Sequence, residues 1–300
     1  MTKIDTRLDL LPLRSLLSVP AINERAMAKL ASLDCDGVIL DFEDSVPPEK
    51  KAEARRLAID FLGSTRLSGR LVMIRVNHVA TEWFSDDMDA VIAARPDAVV
   101  IPKVNDPRDL RHVADLLDER DGADDIRLWA MMETSRAVLN AAAIAEAARA
   151  VRLDGMIVGL NDLRKETRVR PIAGRAHLQP WLMQLVLAAR AYDLAILDSV
   201  HNDFRDLAGF EAECVQGEEM GFDGKMLIHP DQIEPSNRLF APSPEAMAEA
   251  VAIIGAFEQP DAGGKAVINL GGRMIERLHL DQARRLMAKV QAIQARGKAS

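Results

Sequence analysis

The sequence predicts a (β/α)8 TIM barrel followed by a C-terminal helical lid segment. Short apolar runs alternate with longer amphipathic stretches along about the first 240 residues. Several of those runs, such as Val38-Ile39-Leu40, are apolar on every residue, the pattern of parallel strands buried on both faces. Alternation of this kind over this length has the size of a closed barrel. A doubly wound open sheet is the competitor, but "SVPAIN" rather than a glycine-rich dinucleotide fingerprint follows the first run.

In chain order the predicted strands are residues 14–19, 37–42, 71–76 and 98–102, then 126–132, 155–160, 194–200 and 224–229. Helical patterns lie between them: "NERAMAKLASL", "PPEKKAEARRLAIDFL" and the Ala-rich "ETSRAVLNAAAIAEAARA", read as one helix. These segments assign residues 1–240 to the barrel and residues 241–300 to the lid or oligomerisation segment. The latter reads as a helix, a Gly-rich connector "PDAGGKAVINLGGR" and a last amphipathic helix, too little for an independent core.

Composition narrows the function. A net charge of -8 and only 4% aromatic residues argue against a nucleic-acid partner. No apolar run approaches the roughly 18 residues of a membrane span, and "MTKIDTRLDLLP" is unlike a secretory leader, so a cytoplasmic location is expected. The cysteines, Cys35 and Cys214, have no metal-type spacing and read as buried or free thiols.

In a barrel, chemistry gathers at the C-terminal ends of the strands. Those positions carry Asp41, Glu43 and Asp44; Arg75 and Asn77; Lys103; Glu133; Asn161 and Asp162; Asp198; and His229. Each has a structural alternative. Glu133 could open a helix, Asp162 could be an N-cap and Arg75 could pair with one of the acids. Lys103 could be a solvated loop charge, and His229 before Pro230 could be structural. Together they suit Mg2+, which takes one or two protein carboxylates and leaves positions for water and substrate. Glu133 and Asp162 are the candidate ligands, with Asp41, Glu43 and Asp44 holding metal-bound waters and neighbouring cations such as Arg75 or Lys103. An arginine at this rim, Arg75, can grip a substrate carboxylate with two parallel hydrogen bonds.

In order and spacing, "LRSLLSVPA", "LDFEDSVPPEKKAEAR", "IRVN", "IPKV", "MMETS", "VGLNDL" and "GFDGKMLIHPDQI" resemble the citrate lyase β-subunit-like group of the HpcH/HpaI aldolase family. That group includes malyl-CoA and citramalyl-CoA lyases. The resemblance implies a Mg2+-dependent carbon–carbon lyase that splits malyl-, citramalyl- or citryl-CoA into acetyl-CoA and a 2-oxo acid. It implies Glu133 and Asp162 as metal ligands and Arg75 as the carboxylate clamp. Arg14, Lys29 and Arg25 would lie near the CoA end, and Asn161, Ile228 and His229 would line the pocket. Asn23 stands where the family carries a basic residue.

The family uses a lid carboxylate, commonly Asp, in a neighbouring subunit's site, and favours homotrimers or homohexamers. Here the matching residue is Glu276, in "GGRMIERLHL", one methylene longer; read alone it is equally a surface residue. Three other functions stay open: a CoA-independent hydroxy-oxo-acid aldolase, an acyl-CoA thioesterase, and a carrier-dependent β subunit of a citrate lyase complex.

Overall fold

Eight parallel strands close into a barrel in strict sequence order in the computed structural model, which describes residues 11–121, 123–259 and 265–299. They are β1 (Ser15–Pro20), β2 (Gly37–Asp41), β3 (Leu71–Arg75), β4 (Ala98–Ile101), β5 (Arg127–Met132), β6 (Leu153–Val158), β7 (Ala195–Asp198) and β8 (Gly224–Leu227). Pairing of β1 with β8, from Ser15 opposite Lys225 to Leu17 opposite Leu227, closes the ring and excludes the open sheet. All residues of β2 are buried, as its unbroken apolar run requires.

The helices on the outside are α1 (Glu24–Lys29), α2 (Lys51–Ser64), α3 (Phe84–Ala94), α4 (Pro107–Asp118), α5 (Ser135–Leu139), α6 (Ala141–Glu146), α7 (Ala148–Val151), α8 (Leu160–Thr167), α9 (Gln179–Ala191), α10 (Leu207–Met220) and α11 (Ile233–Leu239). The Ala-rich stretch is therefore three short helices rather than one. Its first break falls at Asn140, whose backbone leaves helical geometry while its side chain donates to Asn105 O at 2.8 Å. That bond ties the break to the loop after β4. Between β6 and α9 the chain makes an excursion through α8, a helix that periodicity did not single out.

Leu13–Phe240 form one compact unit and the chain from Ala241 belongs to another. The assignment of residues 1–10 to the barrel lies outside the described residues. In the second unit the Gly-rich connector is not plain coil. After α12 (Pro244–Phe257), β9 (Val267–Leu270) and β10 (Arg273–Glu276) pair as an antiparallel hairpin before α13 (Arg277–Ala299). Gly271 and Gly272, with φ of 59° and 82°, supply the left-handed turn that a tight hairpin needs. Ala250, Ile253, Ile275, Leu280 and Ala283 cluster there, so this unit has a small core of its own. Residues 260–264 of the connector lie outside the described residues. Both cysteines are buried and free, and no helix among the described residues is long and apolar enough to cross a membrane.

Candidate active site

Asp41 and Arg75 end adjacent strands and sit opposite each other in the β2–β3 register. That placement lets the guanidinium meet the carboxylate edge to edge: Nε to Oδ1 and Nη2 to Oδ2 are both 2.7 Å. Asp41 also accepts the Glu43 N–H at 2.9 Å and the Ser45 hydroxyl. Burial alone would raise the Asp41 pKa, but the charge and hydrogen bonds of Arg75 outweigh it and hold the carboxyl below its ordinary range. Both Asp41 oxygens are thus committed. Asp41 holds Arg75, one of the neighbouring cations expected for it.

Arg75 keeps one nitrogen for other work. Its Nη1 lies 3.2 Å from Glu43 Oε2 and 3.5 Å from Met131 Sδ. Glu43 gives Oε1 to the Lys103 ammonium, and its Oε2 is buried without a hydrogen bond. Desolvation raises the Glu43 pKa against the pull of Arg75 and Lys103. Burial works against the Lys103 charge, but Glu43 and then Asp44 push its pKa up to about 12. Asp44 itself is largely exposed, 3.6 Å from Lys103 Nζ.

Lys103 adopts a left-handed backbone, φ 52°, uncommon for a residue with a side chain. The twist sends its N–H to Glu133 Oε1 at 2.8 Å and its ammonium back to Glu43. Glu133 follows β5 and is 2% exposed. Desolvation, with Glu43 and Asp162 adding repulsion, pushes its pKa up to about 8. Asp162 stands half-buried in the first turn of α8, where Gly159 rather than Asp162 is the N-cap residue.

Charge accounting singles out the last two acids. Arg75 answers Asp41 and Lys103 answers Glu43. Among the described residues neither Glu133 nor Asp162 has an ion-pair partner, and Asp162 is close enough to help raise the Glu133 pKa. Among the described residues no three His, Cys, Asp or Glu side chains form a complete metal cage. Two neighbouring carboxylates, one pushed well above its ordinary pKa by burial and by nearby acids despite the pull of Arg75, are the donor set that Mg2+ takes when water and substrate complete it. The residues present fit that ion.

Sequence reasoning missed the support beneath Glu43. Lys51, the first residue of α2, donates to Phe42 O, Glu43 O and Asn77 Oδ1 at 2.6, 2.8 and 2.7 Å. Asn77 in turn donates from Nδ2 to Asp87 Oδ2 at 2.6 Å. The only sequence signal was a second lysine in "EKKAEAR", which reads as a solvated helix face. Lys51→Met is expected to cost about 3 kcal/mol in urea unfolding, because three buried acceptors lose a charged donor together. A loss under about 1 kcal/mol would show that water replaces the ammonium there.

Other expected residues stand elsewhere. Arg14 precedes β1 and is paired with Asp36 through Nε–Oδ2 and Nη2–Oδ1, both 2.8 Å. It lies at the N-terminal end of the barrel, away from the rim, because it precedes β1, and Asp36 at the start of β2 neutralises it there; this corrects its placement near CoA. Asp198 also leaves the rim group, since its carboxylate is buried against Lys225 and Arg175. Lys29 is exposed at the end of α1, and Asn23 N-caps that helix by accepting the Ala26 N–H at 3.0 Å.

Asn161 exchanges two amide hydrogen bonds with Asn202, at 3.1 and 2.7 Å. His229 accepts the Asp231 N–H on Nδ1 at 3.3 Å and stacks on Phe204 with centroids 4.5 Å apart; Ile228 beside it is 40% exposed. Glu276 ends β10, where its N–H donates to His279 Nδ1 at 2.9 Å.

Known proteins bear on this geometry. Over 284 residues the chain is 44% identical to a (3S)-malyl-CoA thioesterase of Cereibacter sphaeroides, covering 95% of this chain and 96% of that one. It is 32% identical to the mitochondrial citramalyl-CoA lyase of Homo sapiens, with 91% and 84% covered. Protein CitE from Mycobacterium tuberculosis, solved with magnesium, acetoacetate and coenzyme A, superposes with a TM-score of 0.73 at 26% identity, covering 93% of this chain and 98% of that one. The HpcH/HpaI aldolase/citrate lyase family profile matches residues 14–230, and the chain belongs to that family.

Proposed function

We propose that this protein is a Mg2+-dependent carbon–carbon lyase that splits a malyl-type β-hydroxyacyl-CoA into acetyl-CoA and a 2-oxo acid. The observation that carries the reading is the pair of acids without an ion-pair partner among the described residues, Glu133 and Asp162, set near a fixed arginine. The citramalyl-CoA lyase relative, and the magnesium and coenzyme A in the CitE structure, support it.

Glu133 and Asp162 would hold the ion. When bound, it supplies Lewis acidity to the substrate hydroxyl and favours the carbonyl that develops there. Arg75 turns its remaining Nη1 edge to the substrate carboxylate, while Asp41 keeps the guanidinium from rotating. Lys103 adds positive charge to the same rim without giving up its proton, since its pKa is pushed up to about 12.

Cleavage leaves an electron pair on the acetyl carbon, which must take a proton. Glu276 is the residue we assign to that proton, acting across subunits in a homotrimer or homohexamer. Asn161, Ile228 and His229 would line the acyl pocket, and Lys29 would approach the CoA phosphates.

Thioester hydrolysis is the second reading, favoured by the 44% identity to (3S)-malyl-CoA thioesterase. Mass spectrometry of products from malyl-, citramalyl- and citryl-CoA separates the two. The expected result is acetyl-CoA with one 2-oxo acid, lost on chelation of the metal. Free CoA with the intact hydroxy acid would establish hydrolysis instead, and absence of turnover on all three would reject both.

A further inference from the structure

Asp162 is carried on the excursion between β6 and α9, not on the barrel wall, so something must hold that excursion still. Its first residue, Leu160, donates its N–H to the hydroxyl of Ser199 at 3.0 Å. Its far end reaches Arg175, which stands in a left-handed conformation at φ 52°. There Arg175 Nη1 meets both oxygens of Asp198 at 2.8 Å, and its Nε meets Gln216 Oε1 at 2.8 Å. Start and finish therefore fasten to consecutive residues, Asp198 and Ser199, at the C-terminal end of β7.

That dipeptide is itself immobilised. The Ser199 N–H donates to Asp198 Oδ1 at 2.8 Å. Lys225 on β8, with no exposed surface, donates to Asp198 Oδ2 at 2.8 Å and to Glu213 Oε2 at 3.2 Å. Arg175 and Asp198 are 2% and 0% exposed, so water does not compete for these contacts. The chemistry proposed above uses none of these groups.

We propose that the Arg175–Asp198–Lys225 cluster and Ser199 are positioning residues that fix the metal ligand Asp162, by clamping both ends of its excursion to β7. A ligand on a short, eight-residue helix is only as well placed as the points where that helix is tied. The inference rests on the reading of Glu133 and Asp162 as the Mg2+ ligands.

The test is Mg2+ titration calorimetry with hydrogen exchange on the full chain. Ser199→Ala and Arg175→Met are each expected to weaken Mg2+ binding about tenfold, the effect of losing an outer support of a metal ligand. They should also speed exchange of the Leu160–Thr167 amides. Ser199→Thr keeps the hydroxyl and should restore both. Arg127→Met, which breaks the Arg127–Asp154 pair at the opposite end of the barrel, is the control for stability loss alone and should leave the affinity within about twofold.

Ser199→Ala is the milder change and decides the matter if Arg175→Met does not fold. Wild-type affinity and exchange in both clamp variants would overturn the proposal while the metal site stands. A wild-type chain that binds no Mg2+, yet shows faster α8 exchange in the variants, would retain the clamp and remove the metal reading.

Discussion

Glu133→Gln is expected to weaken Mg2+ binding on the order of 100-fold or more, and to leave the melting temperature in chelator unchanged or higher. Removing a buried charged residue usually destabilises a protein because a partner is stranded. Glu133 has no ion-pair partner to strand. Its Oε1 accepts one backbone N–H, from Lys103, and a glutamine carbonyl can accept the same bond. What the substitution removes is a carboxyl that burial, Glu43 and Asp162 push up to about 8. Without a cation that group is a cost to the fold, and on the proposed reading it is what binds the ion. Calorimetry and thermal melts in chelator read the two effects separately. A melting temperature lowered by several degrees, with Mg2+ affinity intact, would mean that the protein itself satisfies this carboxylate.

The carboxylates clustered after β2 fall into the same pattern. Buried ion pairs contribute little net stability, because desolvation offsets most of the Coulombic gain. Their use here is geometric. Asp41 fixes the plane of Arg75, and Glu43 with the left-handed turn fixes Lys103, so two cations stand rigidly beside two acids that have none. A cation free to swing could pair with Glu133 and compete with the proposed metal.

Much of this was legible in the chain. The strands came through because continuous apolar runs between amphipathic segments admit few other structures, and all eight lie within two residues of the segments read from the sequence. Rim residues followed from the strand ends, a local property. What sequence could not supply was direction and partnership. Asp198 is polar and ends its strand like the others, yet turns towards α10, whereas Arg14 opens the first run and chain order alone sets it at the opposite end of the barrel. Only the three-dimensional positions of Lys225 and Arg175 decide where Asp198 turns. Lys51 was hidden because a lysine on an amphipathic helix looks solvated until its three acceptors are seen. The β9–β10 hairpin was hidden by its glycines, which mark a turn as readily as a linker.

Gly159 shows the same limit in its sharpest form. It sits inside "VGLNDL", where a glycine between strand and helix needs no special reason. In space, a Cβ built on it would lie 2.4 Å from Glu133 Oε2 and 2.5 Å from Glu133 Cβ. The carboxylate could swing away from such a methyl group, but the Glu133 Cβ moves only with β5 itself. Gly159→Ala is therefore expected to cost about 1–3 kcal/mol of stability through overpacking, and to weaken Mg2+ binding by more than about tenfold, as displacing the support of a ligand does. A double-mutant cycle identifies the cause. In a Glu133→Gly background both clashing atoms are gone, so Gly159→Ala should lose most of its stability penalty. An undiminished penalty in that background would trace the cost to the backbone at position 159. The close approach would then be incidental to how Glu133 is held.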